Sequence, residues 1–149
     1  MSKNSTITGE SPLRKALQSN EQMLLHKLEG VQEAHAAHRA AHNCNDMRWV
    51  LGHIAYWRNE MITLLGATPA WVDERRSQFR GMSDEPAQPT IGWELAELRA
   101  ALESTGSRLA ALLDDGPAAK QQDPMLRSLL QHETYHIGQL AVLRRLAGN

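Results

Sequence analysis

A helical period that recurs in four segments is the sequence feature that most constrains the fold. In each segment leucines repeat at the spacing of one helix face, and capping residues, glycine or proline mark the boundaries. The predicted helices cover about residues 11–29, Asn45 or Asp46 to about Leu65, Thr90 as a cap through Leu113, and Asp123-Pro124 to about Leu146. Gly106 interrupts the third pattern and weakens the prediction of an unbroken helix there.

Strands are not expected, because no segment shows sustained alternation of polar and apolar residues or a valine-rich and isoleucine-rich run between hairpin turns. The sequence therefore predicts an all-α, four-helix bundle that forms a single domain over residues 1–149, with residues 1–10 disordered. The longest connection, residues 66–89, joins the second and third helices and is expected to carry a short helix around Trp71–Phe79. Such a crossover makes those two helices roughly parallel.

Charge and composition exclude several classes of function. The formal net charge of −1 gives no electrostatic footprint for nucleic acid, and Arg75, Arg76 and Arg80 are interpreted as a solvated face. No run approaches the roughly 20 apolar residues of a membrane span. The polar start lacks the apolar segment of a signal peptide, and the single cysteine, Cys44, excludes an intrachain disulfide. We therefore expect a cytoplasmic protein with no nucleic-acid or membrane partner.

The stretch "QHETYHIGQ" in the fourth helix places polar groups on a face that should be buried. On a helical projection His132, Glu133 and His136 share the broad apolar face of Leu129 and Leu140. Burying three such groups without partners costs several kcal/mol, on the order of 2–7 for each uncharged group. Histidines one turn apart can both bind one metal ion, which is the most economical explanation. The alternative is a pair of hydrogen-bonded core histidines without metal.

The second helix presents a further histidine, His53, on its apolar face between Val50 and Trp57. By itself such a residue is more often a satisfied core histidine. Two facing helices with inward histidines can nevertheless close a three-nitrogen site with an open position, as in catalytic zinc centres. Glu133 and Glu60, which lies two turns beyond His53, are candidates to orient a ligand or transfer a proton. For Glu60 the alternative is a partly exposed carboxylate at the end of the bundle.

The letters of His132 to His136 also fit H-E-x-x-H, the pattern of zinc proteases. The extended form of that pattern requires glycine at 139 and histidine at 142, where this chain has Gln139 and Val142. No histidine, aspartate or glutamate follows His136, so any third ligand must lie upstream. These departures make an HExxH metalloprotease the weaker interpretation.

The segments "DMRWVLGHIAYWRNEMITLLG" and "LLQHETYHIGQLAVLRRLAG" resemble the DinB-like family, named for a DNA-damage-inducible protein. The resemblance covers most of the chain and implies a four-helix bundle of up-down-down-up order. It also implies a histidine triad for a divalent metal, often zinc or nickel, which corresponds here to His53, His132 and His136. Many members form homodimers, and related bundles are thiol-dependent transferases or isomerases. Residues 66–89 carry no matching motif, so the substrate is not implied.

The resulting hypothesis is a metal-dependent enzyme of the thiol S-transferase or hydrolase type, acting on a small-molecule substrate with water or a low-molecular-weight thiol as nucleophile. One alternative is a metal-binding or sensing module without turnover. The other is a structural helical protein whose buried histidines bind no metal. Zinc and nickel are favoured by the resemblance, whereas nitrogen ligands alone also suit copper and iron.

Other notable side chains have ordinary interpretations beside functional ones. Residues 31–45 are expected to hold a short helix and a loop, with solvent-exposed histidines rather than a second metal site, and Cys44 as an unreactive thiol. The histidines in question are His35, His38 and His42. The aromatic residues Trp49, Tyr56, Trp57 and Trp93 are expected to pack in the core or a dimer interface. For Trp49 and Tyr56, beside His53, the alternative is the wall of a substrate pocket.

Overall fold

The computed structural model describes residues 11–41, 43–81, 90–115 and 123–148. Within those ranges the protein is all-α, as predicted, and contains no strand. The α-helices are α1 (Pro12–Leu28), α2 (Glu33–Ala36), α3 (Met47–Leu64), α4 (Leu95–Asp115) and α5 (Pro124–Leu146), and a 3₁₀ helix spans Glu74–Phe79. The predicted disorder of residues 1–10 lies outside the described residues. None of the helices in the described ranges has the length and apolarity required to cross a membrane.

Three helix starts are capped by the residues that the sequence predicts. The Ser11 hydroxyl accepts from the backbone N–H of Arg14 at 3.1 Å, and Asp46 accepts from the N–H of Trp49 at 2.8 Å. Asp123 accepts from the N–H of Met125 at 2.8 Å, directly before the proline that opens α5. Each cap satisfies a backbone donor that has no partner within its own helix.

The predicted cap of the third long helix is wrong, because α4 begins at Leu95 and not after Thr90. Thr90 instead donates its N–H and its hydroxyl to Asp46 at 2.9 and 2.8 Å. These bonds attach the end of the long connection to the start of α3. The N–H of Leu95 donates to the carboxylate of Glu33, so a residue from α2 satisfies the start of α4.

Gly106 does not break α4, which continues through it to Asp115. A Cβ atom at this position would lie 2.8 Å from Arg58 Nη1 and 2.8 Å from Glu21 Oε1. The glycine therefore makes room for a buried ion pair that reaches α4 from two other helices. Its presence is explained by packing, and its low helix propensity is outweighed by the tertiary contacts.

The four long helices enclose two apolar clusters. The larger cluster joins the C-terminal parts of α1 and α5 to the N-terminal parts of α3 and α4, and it includes Leu24, Leu28, Val50, Leu51, Leu98, Leu102, Leu140 and Leu143. The smaller cluster joins the opposite ends, with Leu13, Leu17, Met61, Ile62, Leu109, Leu113, Leu126 and Leu130. Along each helix a buried polar residue lies between the two sets, namely Asn20, Arg58, Thr105 and Glu133. We call these four residues the polar layer.

The long connection packs on α3 through a buried asparagine and an aromatic group. The Asn59 amide donates to the Trp71 carbonyl at 2.7 Å and accepts from the N–H groups of Ala70 and Trp71 at 3.0 and 3.1 Å. Trp71 stacks on Phe79, with ring centroids 5.9 Å apart, and both contact Trp93. The short helix predicted near Trp71–Phe79 is present as the 3₁₀ helix, and its last residue, Phe79, is fully buried.

Candidate metal centre

His53 lies one and a half turns into α3 with its ring almost completely buried, at 3% exposure. Its Nδ1 lies 2.7 Å from the carbonyl oxygen of Phe79. Since a carbonyl oxygen can only accept, Nδ1 carries the proton and Nε2 presents a lone pair. Burial lowers the pKa of His53 to about 3, although the hydrogen bond to Phe79 opposes that change. The imidazole is therefore neutral at pH 7, which is the form that binds metal.

His136 on α5 is held in the same way by a different acceptor. Its Nδ1 lies 2.6 Å from Gln139 Oε1, and the Gln139 amide nitrogen donates to the Tyr135 hydroxyl at 3.3 Å. This pair of bonds orients the amide so that its oxygen faces the ring, which leaves the lone pair on His136 Nε2. Burial is the main cause that lowers the pKa of His136 to about 4. A second neutral imidazole is thereby directed at a fixed point.

His132, one turn before His136, completes the group. Its Nε2 lies 2.9 Å from His136 Nε2 and 3.4 Å from His53 Nε2, and burial lowers its pKa as well. Without a metal, the Nε2 of His132 can donate at most one proton to the two lone pairs on His53 and His136. A cation can instead bind all three nitrogens. Ligands about 2.0–2.1 Å from a tetrahedral zinc ion are about 3.3 Å apart, close to the observed separations. Among the described residues these three histidines form a group able to hold a metal ion.

Aromatic rings surround this histidine group. Trp49 stacks on His53 with centroids 4.3 Å apart and planes inclined by 18°. The ring of Trp57 lies 6.3 Å from that of His53 and 6.2 Å from that of His132, in both cases edge to face. Trp49, Tyr56 and Trp57 are half-buried, which for Trp49 and Tyr56 fits either the packing role or the pocket-wall role. Trp93 is fully in the core, as the packing interpretation predicts.

The two candidate carboxylates lie in different environments. Glu133 is buried, with Oε1 accepting from Arg58 Nε at 2.5 Å and Oε2 accepting from Asn20 at 2.8 Å. The charge of Glu133 is close enough to raise the pKa of both His132 and His136, against the larger effect of burial. Glu133 is nevertheless not part of the group of three histidines. Glu60 is half-buried, and its side chain has no hydrogen bond to a triad histidine within the described part of the chain. The structure therefore brings together the three histidines but neither carboxylate as a ligand.

The segment between α1 and α3 contains the short helix expected there, α2. The Nδ1 of His35 accepts from the N–H of Gln32 at 2.9 Å, which is a local capping contact. His38 and Cys44 are half-buried, and they do not form a metal-binding group with other described residues. His42 lies outside the described residues.

The sequence did not predict the contacts that three further residues make with the site. Gln139 follows His136 by one turn, so its helical spacing could have indicated the contact. Arg58 is a charge inside a largely apolar segment, which also signals a buried partner. The carbonyl of Phe79 gave no signal, because any residue supplies a backbone oxygen and only the folded connection brings this one to His53.

The chain has no match among protein-family models and none among curated proteins. The site must therefore be interpreted from its own geometry.

Proposed function

We propose that this protein binds a divalent metal ion, zinc or nickel, through His53, His132 and His136, and uses it as a metal-dependent enzyme. The observation that carries the proposal is the convergence of three imidazole Nε2 atoms, two of which have Nδ1 bonded to an oxygen acceptor. Metal-binding histidines in proteins show this arrangement, because the acceptor fixes the tautomer and the direction of the ring. Core histidines without metal have no need of two fixed lone pairs directed at the Nε2 of a third histidine.

If His53, His132 and His136 held a divalent ion, it would supply Lewis-acid chemistry that lowers the pKa of a bound water or thiol. The chain's own residues prepare the site for that role. Phe79 and Gln139 hold two imidazoles in the required tautomer, and burial keeps them neutral. Trp49 and Trp57 cover one side of the group, whereas the half-buried His132 leaves an approach for a small molecule.

The reaction proposed is activation of a thiol or of water, as in a thiol S-transferase or a hydrolase, with a small-molecule substrate. Of the two carboxylates, Glu60 is the one whose side chain is not already bonded to an arginine, so we propose it for proton transfer. A metal-binding or sensing module without turnover is the alternative from the same geometry. The absence of strands in the described ranges weighs against a protease that binds peptide along a sheet edge.

The arrangement of helices and its assembly belong to the same proposal. In one apolar cluster the C-terminal parts of α1 and α5 meet the N-terminal parts of α3 and α4, and in the other cluster the opposite ends meet. Because α1 and α5 then run one way and α3 and α4 the other, this supports a four-helix bundle of up-down-down-up order. That order is the one the DinB-like resemblance implies. Membership of that family and a cytoplasmic location stay predictions.

We also propose the homodimer that the resemblance implies. Support comes from α5, where Tyr135, Val142 and Leu146 are 64%, 56% and 52% exposed. Their spacing places them within about 40° on one face of the helix. Exposed apolar side chains that share the outer face of a helix offer a surface for contact with a second copy.

Metal content tests the central proposal. We expect about one zinc or nickel ion per chain by mass spectrometry in protein purified without an affinity tag or added metal. The variants His53→Ala and His136→Ala should remain helical by circular dichroism and lose the metal. The matched control is His26→Ala, since the side chain of His26 is 68% exposed on α1. A parent chain that holds no metal and takes up neither ion on titration would refute the centre.

A further inference from the structure

Two residues of the polar layer, Arg58 and Glu133, form a charge cluster with Glu21 next to the metal centre. Arg58 is completely buried and pairs with Glu133, with Glu21 and with the carbonyl of Leu102, the last at 3.1 Å. Although burial lowers the pKa of Arg58, the two carboxylates raise it overall, Glu133 more than Glu21. Glu21 belongs to α1, Glu133 to α5 and the Leu102 carbonyl to α4, so this one guanidinium links three helices to α3.

Stability alone does not explain this cluster. Replacing a buried ion pair by apolar residues of similar volume is often neutral or stabilising by about 1–4 kcal/mol, because desolvation cancels much of the attraction. Apolar residues stand above and below Arg58 in both clusters, so a leucine layer could continue there. The directional bonds of Arg58 offer something that leucine cannot, namely a fixed rotation for the helices that they join.

The partner that matters most is Glu133, because it lies in α5 between the two histidines of that helix. Seen down the axis, His132 and His136 are about 100° and 60° away from Glu133 on the same side. Both carboxylate oxygens of Glu133 are fixed, one by Arg58 on α3 and the other by Asn20 on α1. Thr134 adds a bond from its hydroxyl to Asn20 at 2.9 Å. Holding Glu133 therefore sets the direction of both imidazoles toward His53.

We infer that Glu133, held by Arg58 and Asn20, is a positioning residue of the metal centre, which sets the rotation of α5 and so aims His132 and His136. This inference rests on the metal-binding part of the proposed function. It gives the carboxylate of the H-E-x-x-H sequence a role that differs from proton transfer, since both its oxygens are bonded to other side chains.

The experiment uses Co²⁺ as the probe, because its visible spectrum reports coordination geometry. Glu133→Gln keeps the size of the side chain but removes its charge and one of its two acceptor oxygens, so that it can no longer accept from both Arg58 and Asn20. We expect it to bind Co²⁺ with a changed visible spectrum and to lose about 10- to 100-fold in Zn²⁺ affinity in a competition with a chelator, the range for residues that orient metal ligands.

The matched control is Glu21→Gln, which removes a carboxylate from the same Arg58 without touching α5. Glu21 is 33% exposed and belongs to α1. We expect the control to keep the parent's spectrum and affinity. Equal changes in both variants would overturn the inference, because the effect would then come from lost charge or general loosening. Unchanged spectra and affinities in both variants would overturn it as well.

A second variant covers the case in which Glu133→Gln does not fold. Asn20→Ala frees the second oxygen of Glu133, removes the bonds of Asn20 to Thr134 and to the Leu130 carbonyl, and keeps Arg58 paired with Glu133. We expect a smaller change of the same spectral kind, and an unchanged spectrum and affinity would contradict the inference. A parent chain that binds no Co²⁺ would instead overturn the metal centre itself. The failure of the proposed function is thereby distinguished from the failure of the positioning role.

Discussion

Gly106→Ala should destabilise the protein, although the same change in an exposed helix position stabilises. Alanine is favoured over glycine in a helix interior by about 1 kcal/mol. At Gly106, however, the new Cβ would lie 2.8 Å from Arg58 Nη1 and from Glu21 Oε1, too close for either atom to remain. Arg58 cannot retreat, because Glu133 and the carbonyl of Leu102 hold it in the core.

Glu21 is the partner that can move, since one third of its side chain is exposed. Displacing it costs a hydrogen bond to a charged group, worth about 1.5–3 kcal/mol. After subtraction of the gain in helix propensity, Gly106→Ala is expected to lower the free energy of unfolding by about 0.5–2 kcal/mol. The magnitude stays below the cost of breaking a buried pair outright, because water can solvate the displaced carboxylate.

Gly138 provides the control, since it lies in the interior of α5 and a Cβ there meets no atom within 4 Å. Gly138→Ala should raise the free energy of unfolding by about 0.5–1 kcal/mol. Urea unfolding followed by circular dichroism at the helix band measures both variants under one condition. If Gly106→Ala proves as stabilising as Gly138→Ala, the account of this glycine as room for a buried ion pair is refuted.

Three further predictions concern the metal site and the surface. Gly52→Ala would place a methyl group 2.4–2.5 Å from the ring of Phe79, so Phe79 must move, and its carbonyl orients His53. We therefore expect weaker Zn²⁺ binding in a chelator competition. An unchanged affinity would contradict the role of that carbonyl. Metal-free protein should lose stability as the pH falls from about 6.5 toward 4, because the unfolded chain binds protons that the buried histidines, with pKa values of about 3 and 4, do not. The slope, measured by urea unfolding at several pH values, should reach at most about 1.4 kcal/mol per pH unit for each histidine, and a flat profile would show that the histidines are solvated. Val142→Glu should convert a dimer to a monomer in analytical ultracentrifugation, whereas Val72→Glu, at a more exposed position on the connection, should not; a parent that sediments as a monomer would refute the dimer.

The helical class and the histidine group could be predicted because both depend on periodicity within one segment. His53, His132 and His136 interrupt apolar stripes, and the stripes identify which face each helix buries. The caps Ser11 and Asp46 act on N–H groups three residues away, so local sequence is sufficient for them.

The missed features depend on contacts between distant segments. Thr90 looks like a cap, but Asp46, 44 residues earlier, takes both of its donors. Gly106 looks like a helix breaker in the sequence. Only the assembled core shows that Arg58 occupies the space of its absent side chain. In both cases a tertiary contact outweighs a local propensity of about 1 kcal/mol.

The bond from His53 to the carbonyl of Phe79 limits how the connection between α3 and α4 can be re-engineered. Loops that join helices are usually good places to shorten a chain or to exchange segments between proteins. Here the backbone itself supplies the acceptor, and Gly52 is the surface on which the ring of that residue lies. A transplanted loop must therefore reproduce the path of the chain at this peptide unit, as well as at the backbone groups of Ala70, Trp71 and Thr90 that bond to Asn59 and Asp46.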